Sequence, residues 1–242
     1  MKTKAFLRLM LLSVLLLSGW SSVLAQERYF DQLDDFLARY HQPGGLIDYS
    51  HISKVDETLD SLYDAVGTID LTDSSESFAK AFYINAYNII VIKQVTAFYP
   101  IKGPFDIQGF FDNIQSVVAG REMTLDVLEK QVILPRFKDP RIHFALVCAA
   151  RSCPVIDEKA YRPETIEDEL DRVAQQVCNN DFYVKLKGKT LYLSKIFDWY
   201  AAEFTGGQTI VAYLNQYREE PIPEGVKIRY NDYDWSLNDS VQ

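Results

Sequence analysis

The side chains best suited to chemistry gather in one stretch, Asp139 to Pro154, which reads DPRIHFALVCAARSCP. It holds Cys148 and Cys153, two of the three cysteines in the chain, and His143, the one histidine set in an apolar run. The thiolate is the reactive form of cysteine, and a neighbouring cation favours it. Cys153 follows Arg151 in a loop that Pro154 ends. Cys153 is therefore the expected nucleophile, with Arg151 stabilising its charge. Cys148 lies inside the apolar run, where a thiol behaves as a small inert hydrophobe. His143 is the natural base for a cysteine hydrolase.

Geometry limits that pairing. Ile142 to Ala149 reads as a fully buried strand. Extended, residues 143–149 span roughly 20 Å, and the four steps from Ala149 to Cys153 reach at most about 14 Å. His143 and Cys148 would also face opposite sides of such a strand. A dyad needs a shorter or more bent segment. Three functions stay open. The first is a thiol-dependent hydrolase or transferase acting on amide or peptide-like substrates. The second is a redox protein with a reversible Cys148–Cys153 disulfide, although four intervening residues do not make a C-x-x-C motif. The third is a non-catalytic module that binds a small-molecule or peptide-like ligand in an aromatic cleft.

The elements that must position these groups follow from apolar spacing. Helices are expected at residues 26–41, 53–65, 77–98, 124–134, 163–178, 195–204 and 208–217. A hairpin is expected at residues 182–193 and a short strand at 226–230. The helix ending before Pro100 carries few charges, which marks it as the central buried one. Asn85 and Asn88 share a face of it, and amides in such surroundings need partners. They either pin neighbouring backbone or serve the site, Asn85 then orienting His143. Glu129 is either an exposed helical glutamate or a second orienter of His143. Phe105, Phe110 and Phe111 fall in an irregular segment that either covers a cleft or packs on the core. The expected fold is α+β, a mostly helical single domain around a small β-sheet.

Composition narrows the function classes. The chain has 34 acidic against 25 basic residues, a net charge of −9, and no basic stripe, so nucleic acid is a poor partner. Three scattered histidines without H-E-x-x-H or C-x-x-C give no zinc signature. No Gly-rich phosphate loop and no G-x-S-x-G elbow occurs, and no cofactor is implied. Lys2, Lys4 and Arg8 precede an apolar Leu9–Leu17, and Val23 and Ala25 suit a cleavage site. Residues 1–25 are therefore expected to be a secretory signal peptide, and 26–242 a periplasmic or secreted domain with no membrane span.

Several segments in order resemble the family called domain of unknown function 547. They are Phe82 to Asn88, Met123 to Leu134, Asp139 to Pro154, Leu193 to Tyr200 and Tyr233 to Asn238. The resemblance implies that the recurring polar positions of the family are here Asn85, Asn88, Glu129, Arg141, His143, Cys148, Cys153 and Lys195. Among these, Asn88, Arg141, Cys148 and Lys195, with Arg151, are the expected binding residues. The family often has a histidine after the glutamate where this chain has Lys130. Some members are joined to glutaredoxin-like domains, which points by analogy to thiol chemistry.

Overall fold

The computed structural model describes residues 27–241, and the expected leader lies outside them. The chain is built around the helix Glu76–Phe98. Ser75 caps it by accepting from the Phe78 N–H, and the chain leaves helical geometry at Tyr99, ahead of Pro100. From Phe78 to Val95 nearly every side chain is buried, as expected of a helix that is apolar all round. Its three charged residues sit at the rim, each in an ion pair: Glu76 with Arg136, Lys80 with Asp139 and Glu167, and Lys93 with Asp60.

Other helices wrap this axis. Residues 27–40 bring Tyr29 and Phe30 against Phe82 and Phe78. The single helix expected at residues 53–65 is two, Tyr49–Val55 and Thr58–Thr68. Asp48 caps the first, and Asp56 ends it in an extended conformation while accepting from the Thr58 N–H. Ile166–Cys178 covers another side, with Glu167, Asp168 and Glu169 in its first turn, where the helix dipole favours acids. The helix expected at residues 195–204 is also broken, into Ile196–Trp199 and Ala201–Thr205 around Tyr200.

The protein is α+β and mostly helical, with its strands spread over three small sheets. The expected hairpin forms between Val184–Lys187 and Thr190–Leu193, and Lys227–Tyr230 adds parallel to the second strand. Among the described residues no helix is long and apolar enough to cross a membrane.

One element departs from expectation where it matters most. Residues 142–149 do not form a strand. Pro140–Phe144 is a 3₁₀ helix whose start is capped by Asp139, accepting from the Arg141 N–H, and irregular backbone follows. A buried backbone needs partners, and here a side chain supplies them. Asn88 Nδ2 donates to the Ala145 carbonyl at 2.9 Å, and its Oδ1 accepts from the Val147 N–H at 3.0 Å. Asn85 does the same for Tyr161, donating to its carbonyl at 2.8 Å and accepting from its N–H at 3.1 Å.

The last residues close the structure. Their backbone bonds to Ala149, Arg151 and Ser152 on one side and to Ile47 and Lys102 on the other. Gly103 permits this approach, since a Cβ there would stand 2.3 Å from the Trp235 carbonyl oxygen. Replacing Asn88 by alanine leaves two buried backbone groups unpaired, so urea unfolding should show a loss of about 2–4 kcal/mol.

Candidate functional site

Where the loop 145–154, the central helix and the C-terminal segment meet, a cavity of about 650 Å³ opens. Cys148, Cys153, Glu129 and His143 all line it. Asn85, Asn88, Arg141, Arg151 and Lys195 do not.

The thiols lie together, and their exposures are the reverse of the sequence expectation. Cys153, expected in an open loop, is buried, whereas Cys148, expected to be buried, is partly exposed. Ala149 makes this possible by adopting φ +58°, a left-handed conformation that costs an L-residue about 1–2 kcal/mol. The chain therefore turns back between the two cysteines. The Cys148 N–H donates to Cys153 Sγ at 2.9 Å, and Cys153 Sγ lies 3.8 Å from the Leu146 carbonyl. All three cysteines are free thiols. Cys178 is buried away from the cavity, and desolvation pushes its pKa up to about 12.

The two neighbouring thiols titrate in opposite directions. Burial works against a Cys148 thiolate, but hydrogen bonds from Cys153, the Tyr233 hydroxyl and the Ala150 N–H outweigh it. Its pKa falls below the ordinary thiol value. The Tyr233 hydroxyl lies 3.2 Å from Cys148 Sγ. Burial and the neighbouring Cys148 charge push Cys153 well upward. Burial and the same sulfurs raise Tyr233 too, so its hydroxyl keeps its proton and can donate it in a hydrogen bond. The pair thus loses its first proton from Cys148.

The remaining expected site residues divide by what they touch. Glu129 is buried, not exposed, and sits in a π-helical stretch, Leu128–Ile133, within a helix running from Leu125 to Phe137. Such stretches break the regular helical ladder and are frequent at functional sites. Its carboxylate accepts from the Tyr87 hydroxyl at 3.2 Å and from the Tyr200 hydroxyl at 2.6 Å. Neither Glu129 nor Asn85 orients His143. His143 Nε2 lies 2.8 Å from Glu203 Oε2, and its ring stacks on Tyr200 with centroids 3.8 Å apart. No hydrogen bond joins His143 to either thiol among the described residues.

Arg141 is tied to Asp139, Glu167 and Asp171, a network that clamps the start of the 3₁₀ helix. Lys195 pairs with Asp198 and lies over the Tyr230 ring. Arg151 is exposed, stands outside the cavity lining, and its charge acts on Asp234. Among the described residues no group of three or more His, Cys, Asp or Glu is placed to hold a metal ion.

Sequence reasoning missed Tyr87, Tyr200, Glu203 and Tyr233 as parts of the site. Phe105, Phe110 and Phe111 do border a cleft, as one of the expectations had it, but Trp199, Tyr233 and Trp235, which complete its aromatic rim, were not placed with them. Trp235 lies 4.5 Å from Phe105, 4.6 Å from Tyr233 and 5.8 Å from Trp199, centroid to centroid. The signal that could have found the rim is the density of aromatics in non-regular segments at residues 105–111 and 233–235.

The cavity thus joins a partly exposed thiol, a buried carboxylate and an aromatic mouth on an α+β fold. The profile of the family described as "Protein of unknown function, DUF547" matches residues 71–176, which contain Cys148, Cys153, His143 and Glu129, and the match supports membership of that family over this stretch. Among curated proteins and among solved structures, none matches significantly. Tyr233 and the aromatic rim at residues 199–235 lie beyond the matched stretch.

Tyr233→Phe removes one donor from the Cys148 sulfur. Its pKa should rise, moving the pH profile of iodoacetamide labelling at Cys148 toward higher pH. Labelling at neutral pH should slow several-fold, by about one charge-assisted hydrogen bond.

Proposed function

We propose that the protein carries out thiol–disulfide exchange, with Cys148 as attacking thiolate and Cys153 as resolving thiol. The observation that carries this reading is the contact between the two cysteines at the wall of a cavity onto which both face. An accessible thiol poised to ionise, beside a buried one that holds its proton, is the asymmetry such exchange requires.

The steps follow from that asymmetry. Cys148 Sγ attacks a substrate disulfide, forming one S–S bond to the substrate and releasing the other half as a thiolate, which takes up a proton. Cys153 then loses its proton and attacks the Cys148 sulfur. The internal disulfide forms, and the second substrate thiol leaves. The substrate gains two electrons and the protein's dithiol loses them. A thiol reductant of the glutathione or dithiol class returns the pair to its starting state. Run in reverse, the oxidised pair converts two substrate thiols to a disulfide. Export directed by a leader at residues 1–25 would place the pair where disulfides persist.

A cysteine hydrolase or transferase needs a base on its nucleophile. His143 is bonded to Glu203 and not to a thiol, so exchange is placed ahead of acyl transfer. The size of the cavity, within the range of small-molecule sites, favours a second reading as a ligand-binding module with silent thiols.

Oxidised glutathione separates these functions. The wild type should end with a Cys148–Cys153 disulfide, seen by mass spectrometry as the loss of two hydrogens. Cys153→Ser should instead accumulate a stable glutathione adduct on Cys148. A wild type that keeps the adduct, or whose Cys148 never reacts, would sink the exchange reading.

A further inference from the structure

Glu129 is 8 % exposed, and its side chain is aimed into the cavity. Both of its oxygens accept from tyrosine hydroxyls, so it is held as an acceptor. Among the described residues no Lys, Arg or His forms an ion pair with it. Lys130, the one ammonium in the lining, is bound 2.8 Å from Asp126. Asp112, also in the lining, is in no ion pair among the described residues. Buried charges are ordinarily paired, because taking a lone carboxylate out of water costs free energy that two neutral hydrogen bonds only partly offset.

The mouth above this carboxylate is aromatic. Phe105, Phe111, Trp199, Tyr233 and Trp235 ring it, with Phe105 64 % and Trp199 46 % exposed. The faces of such rings are negative and attract organic cations, above all when water is excluded. Rings at the mouth and a carboxylate below them present the same sign of field to anything that enters.

We infer that the cavity binds an organic cation, a guanidinium or ammonium group such as a basic peptide side chain, between the aromatic mouth and Glu129. The inference rests on the exchange reading only in taking the cation-bearing molecule as the substrate. A hydrated metal ion fits less well, since among the described residues no group of three or more His, Cys, Asp or Glu is placed to replace its water ligands. Binding would also act on the thiol. The charge of Glu129 works against the Cys148 thiolate. A cation seated at Glu129 cancels that opposition, so the substrate would help to generate the nucleophile that attacks it.

The test uses N-acetyl-arginine amide against its neutral isostere, N-acetyl-citrulline amide. Binding is read by quenching of Trp199 and Trp235 fluorescence and by calorimetry. The arginine compound should bind on the order of tenfold more tightly, and at saturation it should accelerate iodoacetamide labelling of Cys148. Glu129→Gln should erase both differences while circular dichroism and thermal melting show a folded protein. Equal binding of the two compounds to the wild type would overturn the inference, as would a charge preference that survives in Glu129→Gln. The double variant Cys148→Ser, Cys153→Ser keeps the two proposals apart. Selective binding there, with no exchange by the wild type, means that the exchange reading fails and the cation site stands. Exchange without selective binding means the reverse.

Discussion

The structure depends on one buried amide. Asn88, from the middle of the central helix, bonds the Ala145 carbonyl and the Val147 N–H, and so does for residues 145–147 what a neighbouring strand would otherwise do. An apolar backbone segment buried in a protein has few ways to satisfy its polar groups, and pairing in a sheet is the usual one. With the amide in place, the segment is free to curl. Ala149 can then turn left-handed and bring Cys148 back toward Cys153. An extended strand would have held the thiols apart and sent His143 and Cys148 to opposite faces.

The second constraint comes from the far end of the chain. Residues 234–238 bond the backbone of the thiol loop, and Tyr233 sets its hydroxyl on the Cys148 sulfur. This segment stabilises the loop and alters its electrostatics together. It adds one more hydrogen-bond donor to a sulfur already reached by Cys153 and Ala150, enough to overcome the penalty of burial. Cys153 also accepts from the Cys148 N–H, but burial and the neighbouring Cys148 charge outweigh its donors and it keeps its proton. Thus two thiols five residues apart acquire opposite character from their surroundings and not from their covalent chemistry.

Glu129 and His143 show the same separation of residue type from role. Each has hydrogen-bond capacity suited to acid–base work, yet each is committed to another partner, the tyrosines in one case and Glu203 in the other. The π-helical stretch matters here, because regular helical backbone would give Glu129 a different direction from the one that meets Tyr87 and Tyr200. What remains in the cavity is a thiol pair, a carboxylate that no cation pairs among the described residues, and an aromatic mouth, a combination whose chemistry is set by charge and by sulfur.

Much of the architecture was legible in the sequence. The central helix was bounded by a polar cap and by Pro100, its unbroken apolarity announced its burial, and the turn residues marked the hairpin. The stretch Asp139 to Pro154 was recognisable as the chemical centre from residue types alone. The conformation of that stretch was not. An eight-residue apolar run suits a buried strand and an irregular buried segment equally, and the choice rests on an asparagine 57 residues away from the carbonyl it binds. The ionisation of the thiols was equally out of reach, since a tyrosine 85 positions from Cys148 helps to set it. Local sequence determined which residues could react. Only tertiary structure decided which sulfur faces the cavity and ionises first, because burial and hydrogen bonding are properties of neighbours brought together by the fold.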